Sequence, residues 1–490
     1  MRMNYNLSMN VGKTDITGHL KTFKVQLMLK LGLGAMAGFI LIQMLNFGWL
    51  MVTIFLVFII LMMISLDSYR AWIILLVAST FSGLIYSIGS YSIRPDQVML
   101  LILIVGWLFA FLAGKARLYW IPMLLPAVLY VAVNFFSSAL YAPDKAASYL
   151  GALLLGFYLL MYIMTVLVLR EHPDKLKTAI KVMLVISIIQ AIYALIAYMG
   201  QKAGVDLGGV SEKQLEDVAS LQGGFEEPNF LGAFAAAMGL MFLSMLTGWK
   251  AAIRPRFAIT GLLLMILVLG LSYTRAAWMG FLMGLLLILF IQKPKRNIFN
   301  PRGAFAITII AVAASIVVIS FASELSSNSL AERASNILQF SGGSGEGRVG
   351  VQNVAIKRWK DAQLLGFGTL SFPPELASPA PESSWLYSSL IQALHDTGII
   401  GLGLLLWFQA GVVVTVYRSY RKTEDQFYRS AMAGFMIGSV ALFIASQASS
   451  FLWLGFYWIF SGLGVATALV VSPEAEETCQ QKAARQNFTE

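Results

Sequence analysis

Runs of roughly twenty residues with almost no charge recur along this chain, and each is long enough to cross a hydrocarbon core about 30 Å thick. They fall near 26–45, 47–66, 71–91, 97–114, 118–138, 148–169, 177–199 and 228–247, and again near 257–273, 276–292, 303–322, 385–417, 428–449 and 451–471. The run 385–417 exceeds what one crossing needs, so its first turns are expected outside the hydrocarbon. Of the 490 residues, 58% are hydrophobic and 12% charged, about half the charge fraction of a soluble domain, and the mean hydropathy is +0.74. A water-soluble protein could not cover that much apolar surface, so the bilayer is the expected solvent. The fold class is an all-α polytopic bundle of about 12 to 14 membrane helices. It divides into N-terminal helices (1–140), a membrane core (141–471) and a polar tail (472–490).

The net charge of +10 is placed in short clusters between apolar runs, as the positive-inside rule describes, and not as a basic face for nucleic acid. With the N-terminus inside, most of the 35 Lys and Arg fall on the cytoplasmic side. The exceptions are Arg94, Lys145, Lys202, Lys213, Arg275, Arg333, Arg348, Lys357, Arg358 and Lys360. Both termini are therefore expected in the cytoplasm. Residues 1–29 lack a signal-peptide pattern, and the first apolar run is the expected insertion signal. The single cysteine, Cys479, excludes internal disulfides and cysteine-based metal cages.

Two polar loops then face outward. The first, 201–227, ends in Gly223-Gly224-Phe225-Glu226-Glu227-Pro228-Asn229. The second, 322–384, holds an expected short helix at 329–338, a Gly/Ser turn at 341–347, a basic amphipathic stretch at 348–363 and a Pro-rich return at 373–381. On a helix, Arg348, Gln352 and Ala355 share one face, and Lys357 and Lys360 mark another.

Candidate chemistry sits at this outer boundary. Arg275, in Ser272-Tyr273-Thr274-Arg275-Ala276-Ala277-Trp278, interrupts about 35 apolar residues, and a charge at that depth must be paired, snorkel or face a polar cavity. It reads either as an anion-binding group or as a snorkelling cap at a tight turn, with Trp278 as interface anchor. Guanidinium forks match phosphate oxygens, so Arg275 and Arg348 together fit a diphosphate; Arg358, with Lys357 and Lys360, fits either the same ligand or lipid headgroups. His395-Asp396 lies near the outer end of the 385–417 run, with Glu382 just before it. A neutral imidazole beside a carboxylate serves as a base or as a buried structural pair, and both readings stand. His19 and His172 are expected at the cytoplasmic surface. No metal-ligand spacing, P-loop or Rossmann fingerprint occurs, so no metal and no nucleotide cofactor is expected.

The order of motifs resembles the O-antigen ligase and polysaccharide polymerase superfamily of bacterial membrane glycosyltransferases. Gly224-Phe225-Glu226-Glu227-Pro228-Asn229 resembles its G-F-x-x-P-N helix start, and Ser272 to Ala277 its S-x-[ST]-R-[GA] segment. Arg348, Ala355 and Leu365-Gly366-Phe367-Gly368 resemble its outer-loop motif, and Leu390 to Gly401, with Gly398, its last helix. The likeness spans roughly 140–470. It implies a GT-C-like, metal-independent inverting glycosyltransferase acting on undecaprenyl-diphosphate-linked oligosaccharide at the outer face of the cytoplasmic membrane. Arg275 and Arg348 would hold the diphosphate, and an acceptor glycan would attack the anomeric carbon. It also implies flippase and chain-length-control partners, and structural roles for Pro228, Asn229, Gly366, Gly368 and Gly398. Two positions depart from the pattern: Gln352 stands where members often carry Trp, and Tyr387-Ser388 where ligases carry His-Asn. The general base stays open among His395, Asp396 and Glu382. The departures favour a polymerase of repeat units, for exopolysaccharide, capsule or a teichuronic-acid-like wall polymer. A ligase, and a lipid-oligosaccharide flippase from a different class, are the alternatives; a flippase would show repeated halves and mid-membrane charges.

Overall fold

The computed structural model describes residues 67–88, 91–212, 219–247, 252–291, 344–373, 376 and 386–471. The apolar runs near 26–45, 47–66 and 303–322, the short helix expected at 329–338 and the tail from 472 lie outside the described residues. Among the described residues the chain forms twelve α-helices. They are α1 (Ser68–Ser79), α2 (Pro95–Leu112), α3 (Leu124–Tyr141), α4 (Lys145–Glu171), α5 (Leu176–Lys202) and α6 (Pro228–Thr247). Then come α7 (Pro255–Leu271), α8 (Arg275–Ile291), α9 (Ser344–Trp359), α10 (Ser389–Lys422), α11 (Gln426–Ala445) and α12 (Gly455–Val470). Seven of these elements are long and apolar enough to cross a membrane, and α1, α7, α8 and α12 are shorter apolar helices. The protein is a multi-pass, all-α membrane bundle. Its outer surface agrees: Leu112, Trp120, Met199 and Phe290 are each more than 70% exposed, a surface for lipid tails and not for water.

Helix starts follow from local chemistry. The Asp67, Asp144 and Asp425 carboxylates accept backbone N–H groups at the first turns of α1, α4 and α11, and Pro95 and Pro255 occupy first helical positions where no N–H is needed. α6 is apolar on all sides and buried along its whole length. Its run of Gly232, Ala233, Ala235, Ala236, Ala237 and Gly239 lets α7, α8 and α11 pack closely around it. α12 packs on α4 and α10, α3 lies on α10 and α4, and α9 lies along the start of α10.

Three segments differ from the sequence reading. The run 71–91 is not one span: α1 ends at Ser79, and a two-stranded antiparallel hairpin, β1 (Tyr86–Ile88) and β2 (Tyr91–Ile93), follows. The repeated Tyr-Ser-Ile around Gly89-Ser90 has the strand–turn–strand pattern, and apolar content outweighed it. A second hairpin, β3 (Val210–Glu212) with β4 (Ala219–Leu221), builds the loop before α6. The expected Gly/Ser turn at 341–347 is helical from Ser344, because α9 begins earlier than its basic residues suggested.

α10 is two helices joined at Gly398, whose backbone (φ 63°, ψ −164°) is not helical. That combination is almost confined to glycine, and a Cβ there would collide with the backbone of Leu364. The first segment, Ser389–Thr397, is thereby set apart from the long apolar remainder. Backbone groups freed by the break are taken up by the 361–373 loop: Ile399 N–H donates to Gln363 O at 2.9 Å, and Phe367 N–H to His395 O at 2.9 Å. Gly398→Ala is expected to destabilise the protein by about 2 kcal/mol or more, read as a lowered midpoint of thermal unfolding in detergent; an unchanged midpoint would refute this account of the break.

Candidate functional site

The turn between α11 and α12, Ser446 to Ser450, is the meeting point of segments distant in sequence. α2, α6, α8, α10 and α12 begin at this end of the bundle, and α7 and α11 end there. Ser449 Oγ donates to Glu227 Oε2 at 2.9 Å, and Asn229 Nδ2 donates to Ser449 Oγ at 2.8 Å. Ser389 N–H donates to Ser446 O at 2.9 Å, and Ser388 Oγ to Gln447 Oε1 at 2.8 Å. Five hydroxyls and amides thus fix the turn to the starts of α6 and α10.

The segments carrying both arginines singled out from sequence adjoin this arrangement. Arg348 Nη1 donates to Ala448 O at 3.3 Å, and its guanidinium lies 5.0 Å from the centre of the Tyr387 ring. Tyr387 has a left-handed backbone (φ 55°), uncommon for a bulky residue. Arg275 is the exposed first residue of α8. The residue before it, Thr274, donates from Oγ1 to Pro228 O at 3.1 Å and contacts Asn229 Oδ1 at 3.4 Å. The turn carrying Arg275 is tight: Tyr273 is left-handed (φ 52°) and Trp278 Nε1 donates to Leu269 O at 2.8 Å. Trp278 therefore closes the α7–α8 corner with its polar tip, and burial pushes the Tyr273 phenol up to about 12.

Pro228 and Asn229 start α6 at the centre of this network. Gly366 and Gly368, both at positive φ, lie against the other sequence-selected pair, His395-Asp396. A Cβ on Gly366 would meet the His395 carbonyl, and Gly368 N–H donates to Asp396 O at 2.9 Å. His395 Nδ1 is 2.9 Å from Asp396 Oδ1. Asp396 Oδ2 accepts from Leu370 N–H at 2.9 Å and from Gln392 Nε2 at 2.6 Å. His395 is 1% exposed and lies between Phe367 (stacked) and Phe372 (edge-on), each 5.4 Å away. The pair binds the 361–373 loop to α10 and faces no solvent. Arg358 caps that stack, 4.6 Å from the Phe367 ring centre. It stands ten residues from Arg348, about 15 Å along α9, so these two guanidiniums serve different neighbourhoods. Lys357 and Lys360 are exposed. Glu382 lies outside the described residues.

One buried charge cluster escaped the sequence reading. Arg94 Nη1 pairs with Glu226 Oε1 at 2.6 Å, Nε lies 3.4 Å from Asp96 Oδ1, and Nη2 donates to Trp453 O at 3.3 Å. Arg94 retains 11% of its side-chain exposure and Asp96 none. Burial pushes the Glu226 carboxyl up, Asp96 and Glu227 add to that, and Arg94 opposes it. Sequence reading counted Arg94 only as an outer charge, because its partners lie up to 359 positions away.

Among the described residues no group of three or more His, Cys, Asp or Glu is placed to hold a metal ion. Residues 260–406 match the O-antigen ligase family, so the chain carries a segment of that family within a multi-pass membrane protein, and a membrane glycan-processing function follows. The matched segment holds Arg275, Arg348, Arg358, His395 and Asp396; it is narrower than the expected likeness over 140–470 and leaves Glu227, Asn229 and Ser449 outside. Among solved structures, the chain is similar to one described as "Structural coordination of polymerization and crosslinking by a peptidoglycan synthase complex", at 14% identity and a TM-score of 0.41, covering 71% of this chain and 96% of that one. No curated protein matches.

Removing one partner of a buried ion cluster leaves uncompensated charge in low dielectric. Arg94→Ala is expected to cost about 3–5 kcal/mol, measured by thermal unfolding in detergent. Glu226→Gln is expected to cost less, because Arg94 keeps Asp96. Equal losses would show that Asp96 does not depend on Arg94.

Proposed function

We propose that this protein polymerises lipid-linked oligosaccharide repeat units at the outer face of the cytoplasmic membrane, for a cell-surface polysaccharide. The observation that carries the reading is the common anchoring of the Arg275 and Arg348 segments on the Ser446–Ser450 turn. Arg348 donates to Ala448 O, and Ser449 is joined through Asn229 to the Thr274 turn. Two guanidinium-bearing elements held to one turn suit a diphosphate, whose oxygens accept paired N–H donors.

The donor in this reading is an undecaprenyl-diphosphate oligosaccharide, because outside the cell no nucleotide-sugar is available and a glycosyl donor must arrive on lipid. Arg275 and Arg348 neutralise charge that builds on the diphosphate as it leaves. A hydroxyl of the acceptor glycan attacks the anomeric carbon from the opposite face, with inversion and without a metal. Arg358, near the end of α9 and stacked on Phe367, acts here by holding α9 to the 361–373 loop. His395 and Asp396 act as the latch holding that loop, since every oxygen of Asp396 is already engaged and the imidazole is enclosed. The orientation rests on the positive-inside asymmetry. The end bearing Lys177, Lys181, Arg418, Arg421, Lys422 and Arg429 faces the cytoplasm, with both termini, and the Arg94–Arg275–Arg348 end faces outward. The described helices offer no charged residue at mid-span comparable to this outer cluster, which favours an enzyme over a flippase.

A one-step ligase is the second reading, favoured by the family matched over 260–406. Purified protein given lipid-diphosphate repeat units distinguishes them. A ladder of chain lengths is expected; a single transfer to another acceptor would replace polymerase by ligase, and unchanged substrate would refute both. Arg275→Ala and Arg348→Ala are each expected to lower the rate about 100-fold or more, with Lys variants retaining part of it. Wild-type rates in both Ala variants would remove the diphosphate clamp.

A further inference from the structure

Two adjacent carboxylates precede α6, and the structure treats them differently. Glu226 is spent on Arg94, at 2.6 Å, in a largely buried ion pair. Glu227 forms no ion pair among the described residues. Its Oε2 accepts from Ser449 Oγ at 2.9 Å and from Asn229 Nδ2 at 3.4 Å, both neutral donors. Its Oε1 accepts no hydrogen bond among the described residues, and the side chain is half-buried, so that oxygen is reachable. The main chain is fixed as well: Glu227 O accepts from Phe230 N–H at 3.1 Å and from Leu231 N–H at 3.4 Å, the first bonds of α6.

The position of this carboxylate is set by the same contacts. Ser449 directly follows Ala448, the carbonyl that receives Arg348. Asn229 receives Thr274, the residue directly before Arg275. Glu227 thus stands between the two guanidinium-bearing segments, oriented by neutral donors and not neutralised by either cation. A direct ion pair would have stabilised the carboxylate's charged form and weakened it as a proton acceptor. Neutral donors to one oxygen orient the group and leave the other to accept a proton.

We infer that Glu227 is the general base of glycosyl transfer, an inference that rests on the lipid-diphosphate reading above. In the step, the acceptor hydroxyl gives its proton to Glu227 Oε1 as its oxygen bonds to the anomeric carbon of the donor. The bond from that carbon to the diphosphate oxygen breaks, and the electron pair leaves with the diphosphate. The proton on Glu227 then passes to the departing diphosphate or to water, and the carboxylate is restored. Of the other carboxylates described near the site, Glu226 and Asp96 are held by Arg94 and Asp396 has both oxygens occupied, while His395 is shut between two phenylalanines.

The test is turnover of lipid-diphosphate repeat units by purified protein in liposomes, with donor binding measured separately by titration. Glu227→Gln keeps the side-chain shape and an oxygen acceptor for Ser449 and Asn229 and loses only the basicity. It is expected to lower kcat about 100-fold or more while donor affinity stays within about threefold of wild type. Glu227→Asp, which keeps a carboxylate, is expected to turn over faster than Glu227→Gln. A wild-type rate in Glu227→Gln would overturn the base assignment and leave the donor reading standing. Loss of donor binding in Glu227→Gln would overturn it too, assigning the residue to holding the clamp. Absence of any transfer by the wild-type protein would overturn the donor reading itself, and this inference with it.

Discussion

The turn from Ser446 to Ser450 is the constraint on which its end of the helix bundle depends. Its side chains and carbonyls are bonded to the starts of α6 and α10 and to Arg348 of α9. Away from bulk water such a network is costly when broken, because each freed polar group loses its partner without regaining hydration. The network therefore holds in one register elements that a purely apolar interface would let slide. Lipid-facing helix packing has little hydrophobic drive to fix depth, and polar contacts at the helix ends supply it here.

A second anchor joins the N-terminal helices to the same place. Arg94, at the start of α2, is bound between Asp96 and Glu226 and reaches the carbonyl of Trp453. Arg94 takes Glu226 into an ion pair, whereas the neighbouring Glu227 accepts only from Ser449 and Asn229. Residues outside the segment matched to the O-antigen ligase family thus shape the surroundings of residues inside it. On the far side of α9, the His395–Asp396 pair and the Phe367–Phe372 rings hold the loop whose backbone fills the break at Gly398. The Ser446–Ser450 turn and the 361–373 loop thus meet α9 near its two ends, at Arg348 and at Arg358 respectively.

Glycine and proline placements translate directly into this geometry. Gly398 accepts a backbone state closed to other residues, and Gly366 lets the loop approach the His395 carbonyl. These positions were singled out from the motif, but the motif did not say what they approach. The reason is contact between backbones, which no spacing along the chain encodes.

What the sequence determined by itself is what local physics decides. Hydrophobic length located the described apolar helices from α2 onward, though not the polar α9, Asp and Pro marked several of their starts, and Lys and Arg gather toward one end of the bundle. Tertiary structure alone decided which polar groups meet. Arg94 finds Glu226 and Trp453 across much of the chain, Glu227 is distinguished from Glu226, and His395 is enclosed by rings from a preceding loop. The run 71–91 was misread for the same reason, since its hydropathy suits a membrane span while its second half pairs as a hairpin. Hydropathy and capping act within a few turns of each residue, whereas ion pairs and hydrogen bonds between helix ends depend on how the whole bundle packs.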